Sequence, residues 1–216
     1  MKKSAFESTV TQIVSQFPSN KMARLVDTNT FTMTHYHAIL RMIFHQTFRG
    51  PSTFALASAY IDPAMHDIRE YLIHHAEEEK SHWQWVISDL RNTGFEGMDP
   101  RQEFPQPACQ AYIAFNYYVA TTFPLGRLAI AIVLESIGAN YGKHYASKIV
   151  QQLNLKEDQV IFFFGHGDTD VGHTQEIYDV LSVHEHSVQD WANMVHIART
   201  TGVLYKNMYD EAVAIE

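Results

Sequence analysis

Apolar residues recur every three or four positions along most of the chain, the spacing of helices that each bury one face. Between residues 32 and 48 they fall at Tyr36, Ile39, Leu40, Ile43 and Phe44. The same pattern predicts helices over 4–17, 53–61, 63 to about 92, 108–122, 124 to about 153, and 188 to about 213. A short apolar segment at 160–164 precedes Gly165 and a further helical stretch to Val183. Pro18-Ser19-Asn20 and Gly50-Pro51-Ser52 read as stops, and Pro63 and Pro124 as first-turn prolines that open the next helix. Residues 94–107, with two Gly and three Pro, form a loop. No run alternates in the manner of a strand. Each flank of the 94–107 loop is small for a core of its own. The pattern therefore predicts an all-α fold in a single domain over 1–216.

Composition narrows the function. Sixteen Lys and Arg against 24 Asp and Glu leave −8, which argues against nucleic acid or an anionic membrane as the main partner. The single cysteine, Cys109, excludes an internal disulfide framework and fits a reducing compartment. The start of the chain lacks a secretory apolar region, and the longest apolar run, 128–137, is broken by Glu135, so the expected location is cytoplasmic. Histidine is unusually frequent: 13 copies against 16 Lys plus Arg.

Three groups of residues have the spacing of metal ligands. His166, Asp170 and His173 stand at i, i+4 and i+7, within roughly 60° of one another on a helix. Imidazole and carboxylate together suit iron, manganese or zinc better than calcium. Gly165, Gly167 and Gly172 in the same stretch need a reason, since glycine weakens a helix. In the run 74–83, Glu79 and His82 form the Glu-x-x-His spacing of helical di-iron carboxylate sites, with Glu78 and His75 at i+4 and i+7 from His82. Glu135 is a lone carboxylate in an oily helix, expensive to bury unless paired or metal-bound. Each group has a plainer explanation: a helix cap at Asp168 or Asp170, a solvated Glu-rich face, a salt bridge from Glu135 to Arg127 or Lys148. Together they offer three imidazoles and three carboxylates, a set suited to two iron atoms inside a bundle. His184 and His186 read as surface residues, and His35, His37 and His45 as packed or partly exposed. Cys109 reads as a buried apolar residue. The aromatic runs Tyr117-Tyr118, Phe123 and 162–164 read as core, some of them able to wall an apolar pocket.

With these residues in place, the chain resembles the haem-oxygenase-like di-iron oxidases and oxygenases, in the broader superfamily of TenA and the pyrroloquinoline-quinone synthase. The resemblance runs from about residue 30 to the C-terminus. It rests on Glu79/His82, Glu135 and His166-x3-Asp170-x2-His173, with support from 74–83 and the tail 191–205. It implies a haem-oxygenase-like bundle of seven to eight helices around a metal centre. It also implies two Fe ions, or a single iron or manganese ion, with O2 as co-substrate and a small organic substrate in an apolar pocket. By resemblance, Glu79, His82, Glu135, His166, Asp170 and His173 are the metal ligands. One position departs from the pattern: many relatives have glutamate seven residues before the first-helix histidine, where this chain has His75. A homodimer is the default for this size and class. Two alternatives are a TenA-like, metal-free hydrolase of thiamin-related pyrimidines using Cys109 as nucleophile, and a non-catalytic helical interaction protein.

Overall fold

In the computed structural model, which describes residues 3–214 apart from the side chains of residues 168–171, the periodic segments become nine α-helices and no strand. They are α1 (Lys3–Gln16), α2 (Lys21–Asp27), α3 (Met33–Tyr60), α4 (His66–Glu79), α5 (Trp83–Asn92), α6 (Pro107–Thr122), α7 (Gly126–Leu153), α8 (Ile161–Ser182) and α9 (Val188–Ala212). No helix among the described residues is long and apolar enough to cross a membrane.

Local chemistry sets most of the boundaries. Asn20 accepts from the Ala23 amide and so caps α2, a seven-residue helix too short to announce itself by periodicity. Thr32 with His35 and Ser187 with Asp190 form capping boxes at the starts of α3 and α9. Asn154 ends α7 in the left-handed region, at φ +51°. The first turn of α8 is held from outside. The fully buried carboxylate of Asp89, on α5, accepts from the Ile161 and Phe162 amides at 2.8 and 3.0 Å. These amides have no partner within their own helix.

Four expectations need correction. The residues at 50–52 do not stop a helix: α3 runs on through Pro51. The residue before a proline is normally pushed out of the helical region by its own Cβ, and here that residue is Gly50, which has none. The predicted helix over 63–92 is two helices, begins at His66, and breaks at residues 80–82. There the ladder tightens to i+3 bonds, His82 to Glu79 and Trp85 to His82. Pro124 likewise precedes its helix, α7 starting at Gly126. The segment 160–164 belongs to α8 instead of standing apart.

α7 is the central helix. From Gly126 to Val133 every residue is buried, and its principal neighbours are α8 and α9. It meets α8 at two glycines, where a Cβ on Gly142 would lie 3.0 Å from both Gly167 Cα and the Phe163 carbonyl oxygen. Gly167 thus has its reason in this crossing, and Gly165 in the Trp85 ring, 2.8 Å from where its Cβ would be. Gly172 faces open space.

Candidate metal centre

Three helices and one turn bring the polar residues together inside this bundle. α4 supplies His75, Glu78 and Glu79, neighbours at i, i+3 and i+4. The tightened turn after α4 swings His82 back until its Nδ1 lies 2.9 Å from Glu79 Oε2. α7 supplies Glu135, and α8 supplies His166 and His173, two turns apart. The result is two sets of donor atoms, each set within 4.8 Å: His75, Glu79, Glu135 and His173 in one, Glu79, His82 and His166 in the other. Glu79 belongs to both.

Glu135 sits between two imidazoles, with His75 Nε2 at 3.4 Å and His173 Nδ1 at 3.5 Å. Burial opposes its charge, but these neighbours prevail and hold its carboxyl well below the usual range. In return the Glu135 carboxylate pushes His173 up to about 9 against its partial burial. Burial likewise opposes charge on Glu79, and His82 and His166 overcome it, so that its carboxyl stays low. His166 is pushed down by its own burial, only partly offset by Glu79.

Outer contacts orient the rings. His166 Nδ1 lies 3.0 Å from the Phe162 carbonyl, which can only accept. The Nδ1 therefore carries the proton and leaves Nε2 bare, facing Glu79 Oε2 at 4.0 Å. Tyr71 stacks on His75 and its hydroxyl is 3.3 Å from Nδ1. Trp85 stacks on His82 at 4.1 Å and meets His166 edge-on.

The donor set fits a transition metal. Glu79 Oε1 and Glu78 Oε2 are buried without a hydrogen-bond partner, and the buried His75 Nε2 and His173 Nδ1 reach only Glu135, at 3.4 and 3.5 Å and without hydrogen-bond geometry. Each carboxylate oxygen left so costs about 1–3 kcal/mol, and two of them beside two imidazoles that share one carboxylate are hard to reconcile with a purely structural role. Imidazole nitrogens with carboxylate oxygens are the ligands of iron, manganese or zinc, not of calcium. A cavity of ≈ 90 Å³ adjoins the two sets. At roughly 10–15 Å³ per water it holds several waters or a slender small molecule. Phe54, Ala131, Leu134, Phe162 and Phe163 give it apolar walls, and Glu79, Glu135, His166 and Arg127 its polar points.

Of the residues expected as ligands, Glu79, His82, Glu135, His166 and His173 come together here; the side chain of Asp170 lies outside the described residues. His75, which the ligand set implied by resemblance omitted, stands in the first set with no exposed surface. Its signal was present as the i+4 spacing to Glu79. Glu78 lies at the margin, its Oε2 3.8 Å from both His75 and His173. Glu135 does not pair with the cations proposed for it, since Lys148 binds Asp27 at 2.7 Å and Arg127 hydrogen-bonds Thr53. Cys109 is buried away from the cavity, its thiol 3.7 Å from the Met42 carbonyl and pushed up to about 12 by burial. Phe162 and Phe163 do wall the cavity, whereas Tyr118 is exposed. His35 caps α3, His37 bonds Thr93, and His186 bonds the Leu181 carbonyl.

An all-helical bundle with histidine and carboxylate converging at its centre defines a haem-oxygenase-like fold carrying a candidate metal site. Solved structures agree on the fold. A domain of unknown function with a heme oxygenase-like fold from Shewanella denitrificans is 22% identical, with 98% of this chain and 92% of that one covered at a TM-score of 0.90. A TenA homologue from P. horikoshii is 12% identical over 97% and 96%, TM-score 0.78. Heme oxygenase from Leptospira interrogans is 14% identical over 96% and 98%, TM-score 0.69. At these identities the likeness concerns the fold alone. No curated protein matches the chain in sequence. Residues 37–211 match the family described as iron-containing redox enzyme, and the chain belongs to that family.

Proposed function

We propose that this protein is a non-haem, O2-dependent iron oxidase or oxygenase acting on a small organic molecule in the cavity beside the donor sets. One ion would be held by His75, Glu79, Glu135 and His173, and a second by Glu79, His82 and His166, with Glu79 shared. The observation that carries this reading is the convergence of buried nitrogen and oxygen atoms, without hydrogen bonds, from His75, Glu78, Glu79 and His173. Membership of the iron-containing redox enzyme family supports it. Bound iron would supply O2 activation and electron transfer, chemistry that no side chain offers.

The chain's own groups supply the rest. Glu79 and Glu135 provide negative charge that remains ionised despite burial. The Phe162 carbonyl holds the His166 proton on Nδ1 and so keeps Nε2 available. In the metal-free protein His173 holds a proton against Glu135, and that proton must leave before its nitrogen can bind a cation. Phe54, Leu134, Phe162 and Phe163 exclude water from the face where a substrate would lie.

The TenA-like reading has less support. Its nucleophile would be Cys109, whose thiol is outside the cavity and held protonated. The enclosed polar cluster also speaks against a purely structural interaction protein.

Anaerobic titration of the metal-free chain with ferrous iron, followed by desalting and metal analysis, tests the proposal. The expected result is about two ions per chain, about one in His166→Ala, and weakened binding of both in Glu79→Ala. Retention of neither iron nor manganese, or occupancy unchanged in His166→Ala and Glu135→Ala, overturns it.

A further inference from the structure

Arg127 is a buried cation that the metal centre does not use. It stands in the first turn of α7, with 4% of its surface exposed. Its Nε donates to Thr53 Oγ1 at 2.9 Å, and the guanidinium carbon lies 3.5 Å from the centre of the Phe54 ring. Its Nη1 is buried and has no hydrogen-bond partner. The carboxylates in range, Glu135 and Glu79, attract it only from a distance and pair with imidazoles instead. A cation in a helix's first turn also opposes the helix dipole. Burial pushes this guanidinium down to about 10 despite the distant pull of Tyr112, Glu135 and Glu79. A cation held under such conditions without a counter-charge is expected to receive one from a ligand.

The surroundings say where that ligand would lie. Arg127 lines the cavity shared with Glu79, Glu135 and His166. It also lines a smaller pocket together with Gln46, Thr53, Asn116 and the exposed Arg49. Along α7, Arg127, Ala131 and Glu135 follow at i, i+4 and i+8, a rise of about 12 Å, and all three line the cavity. Ala131, the smallest of them, leaves room between the cation and the carboxylate.

We propose that Arg127 is the anion-recognition residue of the site. The substrate it selects is a slender organic carboxylate, anchored at the guanidinium several carbons away from the position that faces Glu79, Glu135 and His166. The anchoring group is a single carboxylate because one guanidinium with one free edge matches one planar monoanion, and a phosphate would need more donors than this apolar cavity offers. The carboxylate is held and not transformed; the reacting carbon lies toward the other end. This rests on the reading of the cavity as a substrate site beside a metal centre.

Isothermal titration of the metal-free chain with acetate through octanoate, against the matching primary amides, tests it. At least one carboxylate binds saturably and about tenfold or more tighter than its amide, the factor expected of a charge-assisted hydrogen bond. Arg127→Gln erases that preference and Arg127→Lys restores part of it. Equal binding of acid and amide, no saturable binding across the series, or a preference that survives in Arg127→Gln overturns the proposal. Where the variants do not fold, the Arg127 Hε–Nε resonance of the unaltered chain decides: it moves with the carboxylate and not with the amide, or the proposal fails. Ferrous titration of the same unaltered chain reports on the metal centre separately. Iron bound without a carboxylate preference removes this inference alone, and a carboxylate preference without iron removes the metal reading and leaves the anion site.

Discussion

Glu135→Gln in the metal-free protein isolates the central charge pair. The glutamate carboxylate faces His173 at 3.5 Å and is the main reason that imidazole rises from 6.5 to about 9. At 1.36 kcal/mol for each tenfold change in proton affinity, that rise is worth about 3 kcal/mol. The His173 side chain keeps 12% of its surface in water, and screening reduces the figure to about 2 kcal/mol. The low carboxyl of Glu135 reflects this contact from the other partner together with the His75 contact at 3.4 Å, and the His173 part is not counted twice. Because the folded state binds this proton more tightly than the unfolded chain does, its contribution is complete below pH 6.5 and disappears as pH rises through 9. Thermal unfolding of the metal-free wild type and Glu135→Gln is the assay, followed between pH 6 and about 10. Near pH 6.5 the variant should melt about 4–8 °C lower, at about 2–4 °C per kcal/mol for a chain of this size. The gap should close through pH 9. Groups that Glu135 does not reach cancel in the difference; His166, which Glu135 raises slightly against its burial, is lowered further in the variant. A gap that stays constant over this range refutes the assignment of the proton to the Glu135–His173 pair.

Two other predictions concern the frame around the centre. Gly142→Ala drives a Cβ into the backbone of Gly167 and Phe163 and should cost about 1–3 kcal/mol, whereas Gly172→Ala meets open space and should gain up to about 1 kcal/mol from helix propensity. Chemical denaturation of the pair checks the opposite signs. Asp89→Ala removes the acceptor for one buried and one half-buried amide at the start of α8 and should cost about 2–4 kcal/mol, with weaker ferrous binding because α8 carries His166 and His173. A variant that melts normally would show that the first turn of α8 finds other partners.

The all-helical architecture was legible because nearly every helix buries one continuous stripe, and stripes are what periodicity reports. The errors cluster where backbone chemistry, not side-chain pattern, decides. At Pro51 the dipeptide read as a stop because proline usually ends a helix, but Gly50 removes the Cβ part of the steric conflict and α3 continues. Around Lys80 the polar sequence looked like an unbroken helical face. The i+3 bonds there break the helix without any proline or glycine to mark the place. α2 is shorter than the window needed to see a period, and its start depends on a cap at Asn20.

The site was legible in proportion to how far each residue contrasts with its neighbours. Glu135 stands out because Leu128, Ile132 and the residues around them are apolar, so a buried charge there demands a partner. In the run 74–82, by contrast, six of nine residues are His or Glu with helical spacing to several others, and spacing alone could not choose among His75, Glu78 and Glu79. The choice depends on phase: α4 turns His75 and Glu79 inward toward α7, and the tightened turn, which no sequence rule marks, brings His82 after them. Arg127 follows the logic of Glu135. It is the other charged residue in the buried stretch that opens α7, and by the same contrast it demanded a partner. A salt bridge from Glu135 to Arg127 or Lys148 is the plainer alternative to a metal at that position. The structure separates Arg127 and Glu135 by two helical turns and gives Glu135 its imidazoles, leaving the cation to be balanced by something that enters the cavity between them.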